Sequence, residues 1–391
     1  MVRAGRWCLL GLVVGGAPLA AQTTSPRVLT PGAGTYEAVS RLTALLELIL
    51  EHHVPAEPVQ LAEATTAALE QFVQTVDEEA ELLPAVQTPQ PDGVVLGALL
   101  TRRDDMPLIV SVRDGTTAQR AGLMPGEWIT GVNYQPTAGR SLAALRQQLD
   151  GVAGAELILE LRDAGGSARA LRIRREAPRP APGGLRFLAG GVAYYRLPSL
   201  ELEVVERLRE GIAKAHQEQA RGLILDVRNN PGGHLLAVAA AIELFLPGRS
   251  PVGSVVYGRG QRRTALMTAY EPVVFQAPVA LLINAGTAAE AELLAGALQS
   301  HRRAQLFGAR TAGRGRVWQS FALPDGMRLI LPVGRMETPD GQSFDREGLL
   351  PDVAVELTRE QERRLALAGF GTEPRDDPVI QRALESLRRE R

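Results

Sequence analysis

A chain of 391 residues with 45% hydrophobic and 22% charged side chains is long enough for two or three domains and has the balance of a globular protein. The formal net charge is −1, acids and bases are interspersed and aromatics make up 4%, so the sequence offers no basic, base-stacking surface and no nucleic-acid partner is expected. Of the 43 basic residues only Lys214 is a lysine; the others are arginines, which stay protonated and cannot serve as general bases.

In chain order, Arg3 and Arg6, an apolar run from Trp7 to Val14 and the small pair Ala20-Ala21 read as an export signal over residues 1–21, cleaved near Ala21. The run is too short for a bilayer core of about 30 Å, so no transmembrane span is expected and the protein is placed outside the cytoplasm, in a periplasm or beyond. Cys8, the single cysteine, lies in this segment, leaving no disulfide, thiol or cysteine–metal chemistry in the mature chain. No metal site and no cofactor are expected.

Residues 35–54 and 58–76 carry apolar positions at helical spacing, giving an N-terminal helical segment over 35–83. His52 and His53, adjacent at a helix end, point apart and read as surface residues. Pro84, Pro89 and Pro91 mark a linker. Residues 92–177 change to short β runs at 94–97, 108–110 and 157–159, with one helix near 141–149. Pro178, Pro180, Pro182, Gly183 and Gly184 form a hinge. From 185 to 375 strands and helices alternate, with buried strands at 223–227 and 279–283 and helices at 201–219, 235–246 and 288–299. This rhythm predicts a layered α/β sheet with its ligand site at the strand ends, here 229–233 and 284–289. Residues 376–391 read as a terminal helix.

The turn Asp226-Val227-Arg228-Asn229-Asn230-Pro231-Gly232-Gly233 follows a strand and precedes a helix, and its paired glycines let backbone N–H groups approach a ligand. It is followed in order by Asn284-Ala285-Gly286-Thr287-Ala288-Ala289-Glu290-Ala291-Glu292, Gly313-Arg314-Gly315, Asp325-Gly326 and Gly348-Leu349-Leu350-Pro351-Asp352. With Ala121-Gly122-Leu123 and Pro125-Gly126-Glu127 upstream, this series resembles the carboxyl-terminal processing (tail-specific) serine peptidases from about residue 36 onward. The resemblance implies a protease-type α/β core (ClpP/crotonase-like), a preceding or inserted PDZ-like β module and oxyanion-type donors at Gly232, Gly233 and Glu290.

The departures from that family fall on its chemistry. Its nucleophilic serine aligns with Ala289, its general-base lysine with Arg314 and its lysine-orienting glutamine with Trp318. Alanine has no oxygen to attack a carbonyl, and arginine cannot take a proton. Thr287 and His234 are the residues nearest in sequence that carry reactive groups; neither completes a triad at recognisable spacing. Lys214 lies on the helix preceding the Asp226 strand and is no substitute. Glu290 and Arg314, replacing the dyad region together, are expected to close the dead site as an ion pair.

The resemblance also implies that Val95, Leu96, Gly97 and Ala98 form the carboxylate-accepting loop of the PDZ-like module, with Leu142, Leu145 and Leu149 lining a pocket beside Leu96 and Ala98 for the last side chain. The expected function is therefore an exported, noncatalytic scaffold that takes peptide or protein C-termini and can form a homo-oligomer. Two other readings stay open: a serine-type peptidase with unconventional residues, and a carrier of apolar small ligands.

Overall fold

Runs of valine, leucine and isoleucine too apolar to face water on either side build a central parallel sheet. In the computed structural model, which describes residues 33–52, 61–83, 93–179, 184–258, 262–269, 273–371 and 374–389, the parallel strands are Val192–Arg196, Gly222–Asp226, Val279–Ile283, Ala304–Gly308 and Val353–Ala354. Gly184–Leu188 adds antiparallel at the Val192–Arg196 edge. The proposed export segment with Cys8, His53, the linker prolines at 84, 89 and 91, and residues 180–183 lie outside the described residues.

Successive side chains of these strands serve two different layers. Ala193, Leu223, Leu225, Leu281 and Leu306 pack against the helices Leu202–Gln217, Leu235–Ile242 and Glu290–Ser300. Tyr194, Ile224, Ala280, Leu282 and Phe307 face the terminal helix Pro378–Arg389, which inserts Val379, Ile380, Ala383, Leu384 and Leu387. The chain is thus a three-layer α/β structure around this sheet, as its βα alternation predicts. A second sheet carries Pro251–Tyr257 between Arg262–Met267 and residues 334–337.

Residues 93–179 form a smaller β module. Its sheet runs in the order Ala98–Arg103, Met106–Val112, Trp128–Val132, Glu156–Arg162, Ala168–Arg174, with the helix Leu142–Leu149 started by the Ser141 hydroxyl on Ala144 N–H. The expected strand at 94–97 is different in the structure: Gly93–Val94 is a short strand paired with Gly151–Val152, and Leu96-Gly97 is a bend. Gly97 has φ 88°, and a Cβ there would lie 2.3 Å from Thr116 Cβ, so only glycine makes this corner.

By contact density the chain divides into two compact units. Among the described residues, one holds the β module and the α/β sheet together, within 93–318 and 332–389; the other holds those of 33–83 and 319–331. In the second unit the helices Ala33–His52 and Leu61–Val76 precede Glu81–Leu83, which pairs antiparallel with residues 328–330. Among the described residues no helix is long and apolar enough to cross a membrane.

Candidate functional site

Two βα turns meet at the C-terminal ends of neighbouring strands. In the first, Asn229 N–H donates to Asn284 Oδ1 (2.8 Å), and Asn284 Nδ2 returns a bond to Asn229 Oδ1 (2.9 Å), lacing the turns together. Asn230 Oδ1 accepts from Gly232 N–H (2.9 Å), and Leu200 pairs with Gly232 and Gly233 through its backbone. A Cβ on Gly233 would stand 2.2 Å from Leu200 O, and Gly232 adopts φ 96°. Both glycines are therefore required by space or by backbone conformation.

The second turn ends in a sharp elbow. Ala289 has φ 53° and ψ −121°, a conformation alanine rarely adopts, directly before the helix Glu290–Ser300. Glu292 holds it there. Its fully buried carboxylate accepts from the N–H groups of Ala289 (2.9 Å), Gly313 (2.7 Å) and Arg314 (2.7 Å) and from the Thr311 hydroxyl. Burial pushes its pKa up to about 7 against the pull of those donors. One side chain thus fixes positions 289 and 314 beside each other. A strained elbow of this kind persists only where its surroundings over-determine it, and here they do.

The Glu290 carboxylate turns back toward its own helix N-terminus and accepts from Gly233 N–H at 3.0 Å and from its own backbone N–H. A Cβ on Gly232 would lie 2.4 Å from Glu290 Oε2 and 3.1 Å from Ala289 Cβ, so the methyl, the carboxylate and the glycine turn share one small space. Burial raises the Glu290 pKa; the Gly233 donor, its own N–H and His234 oppose this, and Glu201 adds to it. The expected Glu290–Arg314 ion pair does not form. Arg314 instead reaches Thr101 Oγ1 on the β module and lies with its guanidinium 5.9 Å from the Trp318 ring centroid. The physical reason is direction: a first-turn side chain points N-terminally along the helix, where unpaired N–H groups and the helix dipole favour an acid.

The remaining reactive groups serve other partners. Thr287 is buried, donating to Val227 O (3.0 Å) and accepting from Asn284 N–H. His234 is 63% exposed and pairs with Glu201 Oε2 at 3.1 Å. Lys214 is exposed on the helix Leu202–Gln217. Among the described residues no group of three or more His, Cys, Asp or Glu is placed to hold a metal.

In the β module, Leu96, Leu142, Leu145 and Leu149 pack into one core cluster with Ala98 against it, so the four leucines fill the module's interior and line no open pocket. Val95 is 59% exposed. Leu96 N–H, expected to meet a ligand carboxylate, already donates to Asp150 Oδ1 at 2.9 Å. The sequence reading missed Asp150, although an acid directly after the predicted helix was visible. It also missed a buried chain of charges. Arg196 donates to Asp114 from Nε (2.9 Å) and Nη2 (2.6 Å), Arg228 bridges Asp226 (2.6 Å) and Asp377 (2.7 Å), and the Tyr194 hydroxyl caps Asp226 (2.8 Å).

This arrangement has relatives. The profile of peptidase family S41 matches residues 191–355, the stretch that carries Gly232, Gly233, Ala289, Arg314 and Trp318. The segment 191–355 belongs to peptidase family S41. A carboxyl-terminal-processing protease of Synechocystis is 28% identical over 323 residues, covering 79% of this chain and 75% of the relative. The chloroplastic carboxyl-terminal-processing peptidase 2 of Arabidopsis thaliana is 29% identical over 325 residues, covering 76% of this chain and 61% of its own length. The solved photosystem II D1 C-terminal processing protease has the same fold, with a TM-score of 0.70 at 22% identity over 82% of this chain and 91% of that one. A putative S41 protease from Bacteroides fragilis superposes with a TM-score of 0.51 at 17% identity, over 86% and 93% of the two chains.

Proposed function

We propose that this protein does not cut peptide bonds and serves as an exported peptide- or protein-binding scaffold, with residues 93–179 as its PDZ-like receptor module. The observation that carries the reading is the Glu290 carboxylate on Gly233 N–H. In acyl transfer, backbone donors of this kind must receive the carbonyl oxygen as it gains negative charge. A carboxylate seated on them blocks that oxygen sterically and repels it electrostatically. Ala289 supplies no attacking oxygen, and Arg314 cannot accept a proton.

The placements of Thr287, His234 and Lys214 do not favour an unconventional peptidase, because Thr287 is spent on Val227, His234 is turned to Glu201 and Lys214 is exposed on the helix Leu202–Gln217. Export is supported by the charged, apolar and small-residue pattern of residues 1–21. Binding through the module is supported by its sheet order, which leaves Ala98–Arg103 as an edge strand.

The test is incubation of the purified mature chain with unfolded casein and with C-terminally tagged peptides, beside a heat-denatured control. No cleavage above the control is expected. Turnover that follows the chain through successive columns overturns the reading.

A further inference from the structure

We infer that a small chamber between the β module, the ends of the central strands and the helix Arg359–Ala368 is a binding site for an uncharged amide group, its carbonyl taken by Arg228 and its N–H by Glu362. The chamber measures about 30 Å³, room for a group of a few atoms. It sits against Ile283 and Gly308, the last residues of two neighbouring parallel strands, where open α/β sheets hold their ligands. Its wall is mostly apolar, with Met124, Leu357, Phe370 and Val379 contributing. All of these residues belong to one compact unit.

Two polar groups on this wall lack a hydrogen-bond partner among the described residues. Arg228, its side chain 1% exposed, gives Nε and Nη2 to Asp226 (3.0 and 2.6 Å) and Nη2 also to Asp377 (2.7 Å). Its Nη1 is buried and donates to nothing, a costly state for an N–H group. Glu362 is half-buried in the same wall, burial raises its pKa against the pull of Arg359, and no donor reaches its carboxylate. The third polar side chain there, Asn284, is spent on Asn229 and Gly286.

One donor and one acceptor on a shared apolar wall select the ligand. A cation meets the Arg228 guanidinium. An anion meets Glu362 and a guanidinium already matched by two carboxylates, so neither sign of charge is favoured. Water can satisfy both polar groups but leaves the apolar wall wet; an amide satisfies them and covers the wall with carbon. The size admits only the tip of a larger molecule, and Met124, Pro125 and Glu362 also border a groove of about 300 Å³. There Arg169 and Arg363 pair with Glu127 (2.7 and 3.7 Å) and Arg359 with Asp163 (2.6 Å), so the groove is no anion site either. The ligand class is thus a small molecule with an acetamido or carboxamide tip and a body that lies along the groove. The site makes no use of Ala289, Arg314 or the Leu96-Gly97 bend, so it stands apart from the scaffold reading.

The test compares acetamide with acetate, which has the same size and shape but carries a charge, on the mature chain at neutral pH. Both are titrated by ligand-observed NMR and soaked into crystals. Acetamide is expected to bind at about 1–10 mM, roughly tenfold tighter than acetate, with its oxygen about 3 Å from Arg228 Nη1. Glu362→Gln removes the opposing charge, keeps the volume and is expected to shrink that preference to about threefold or less. Acetate binding as tightly as acetamide to the wild type overturns the inference. So does a chamber that holds only water in the soaked crystal, or acetamide seen there without saturable binding in solution. The wild-type comparison decides the matter even if Glu362→Gln does not fold.

Discussion

The Glu290 carboxylate, one residue after the elbow Ala289, accepts a hydrogen bond from Gly233 N–H at 3.0 Å. The sharp turn at Ala289 and the carboxylate seated on the Gly233 N–H therefore lie side by side. Glu292 holds that turn by binding the elbow N–H and the Gly313 and Arg314 N–H groups at once.

Restoring the nucleophile and base alone is expected to fail. The double variant Ala289→Ser, Arg314→Lys keeps Glu290 on the donor, and loss of one oxyanion donor costs about 10²–10³ in turnover. Adding Glu290→Ala and Trp318→Gln is expected to raise cleavage of a C-terminally tagged peptide by at least that factor over the double variant. Equal activity of the two proteins would show that Glu290 is no barrier.

Glu290 also links stability to pH. Burial raises its folded pKa above the ordinary 4.5. The sign follows: the group binds more protons folded than unfolded, so its favourable contribution is full below 4.5 and is lost as pH rises through the raised folded value. Glu290→Gln keeps a carbonyl acceptor for Gly233 and cannot ionise. Its thermal midpoint relative to wild type is expected to climb as pH increases from 4.5 to neutrality; a constant difference across that window would refute the linkage.

Glu292 cannot be exchanged for its amide. All four of its partners are donors, three N–H groups and the Thr311 hydroxyl, so a glutamine NH2 must face at least one of them. Glu292→Gln is expected to lose about 2–4 kcal/mol in urea denaturation at pH 8, an order-of-magnitude figure for a buried unsatisfied donor with a lost charged acceptor. A loss under about 0.5 kcal/mol would mean the loop adapts around the amide.

The Asp114–Arg196 pair joins the β module to the α/β sheet within one compact unit, with side chains 2% and 1% exposed. Asp114→Ala strands a buried guanidinium and is expected to destabilise by roughly 3–5 kcal/mol, whereas Asp114→Ala with Arg196→Met recovers part of that. Denaturation midpoints of the two variants that coincide would show that the arginine finds another acceptor, such as Asp226, at 3.7 Å.

Much of this protein was legible from local pattern. The parallel strands ending at Asp226 and Ile283 follow from continuous apolar runs, and the helix Leu202–Gln217 before the first of them from the three- and four-residue spacing of Val205, Leu208, Ile212 and Ala215. The family followed from five ordered motifs, and the absence of serine at 289 and lysine at 314 is a matter of letters. The Leu96-Gly97 corner was less legible. Four residues of apolar sequence suit a strand, and the crowding by Thr116 that enforces φ 88° comes from a residue almost twenty positions away.

The sequence by itself determined the fold class and the likeness to peptidase family S41, because hydrophobic periodicity and motif spacing are properties of neighbouring residues. Only the tertiary structure decided where the acids went. Glu290 was expected on Arg314 and lies on Gly233; Asp150 fills the Leu96 donor; Asp114 meets Arg196. A carboxylate selects its partner by the burial and donors brought to it from segments 54 to 82 residues distant, and no local pattern in the chain carries that information.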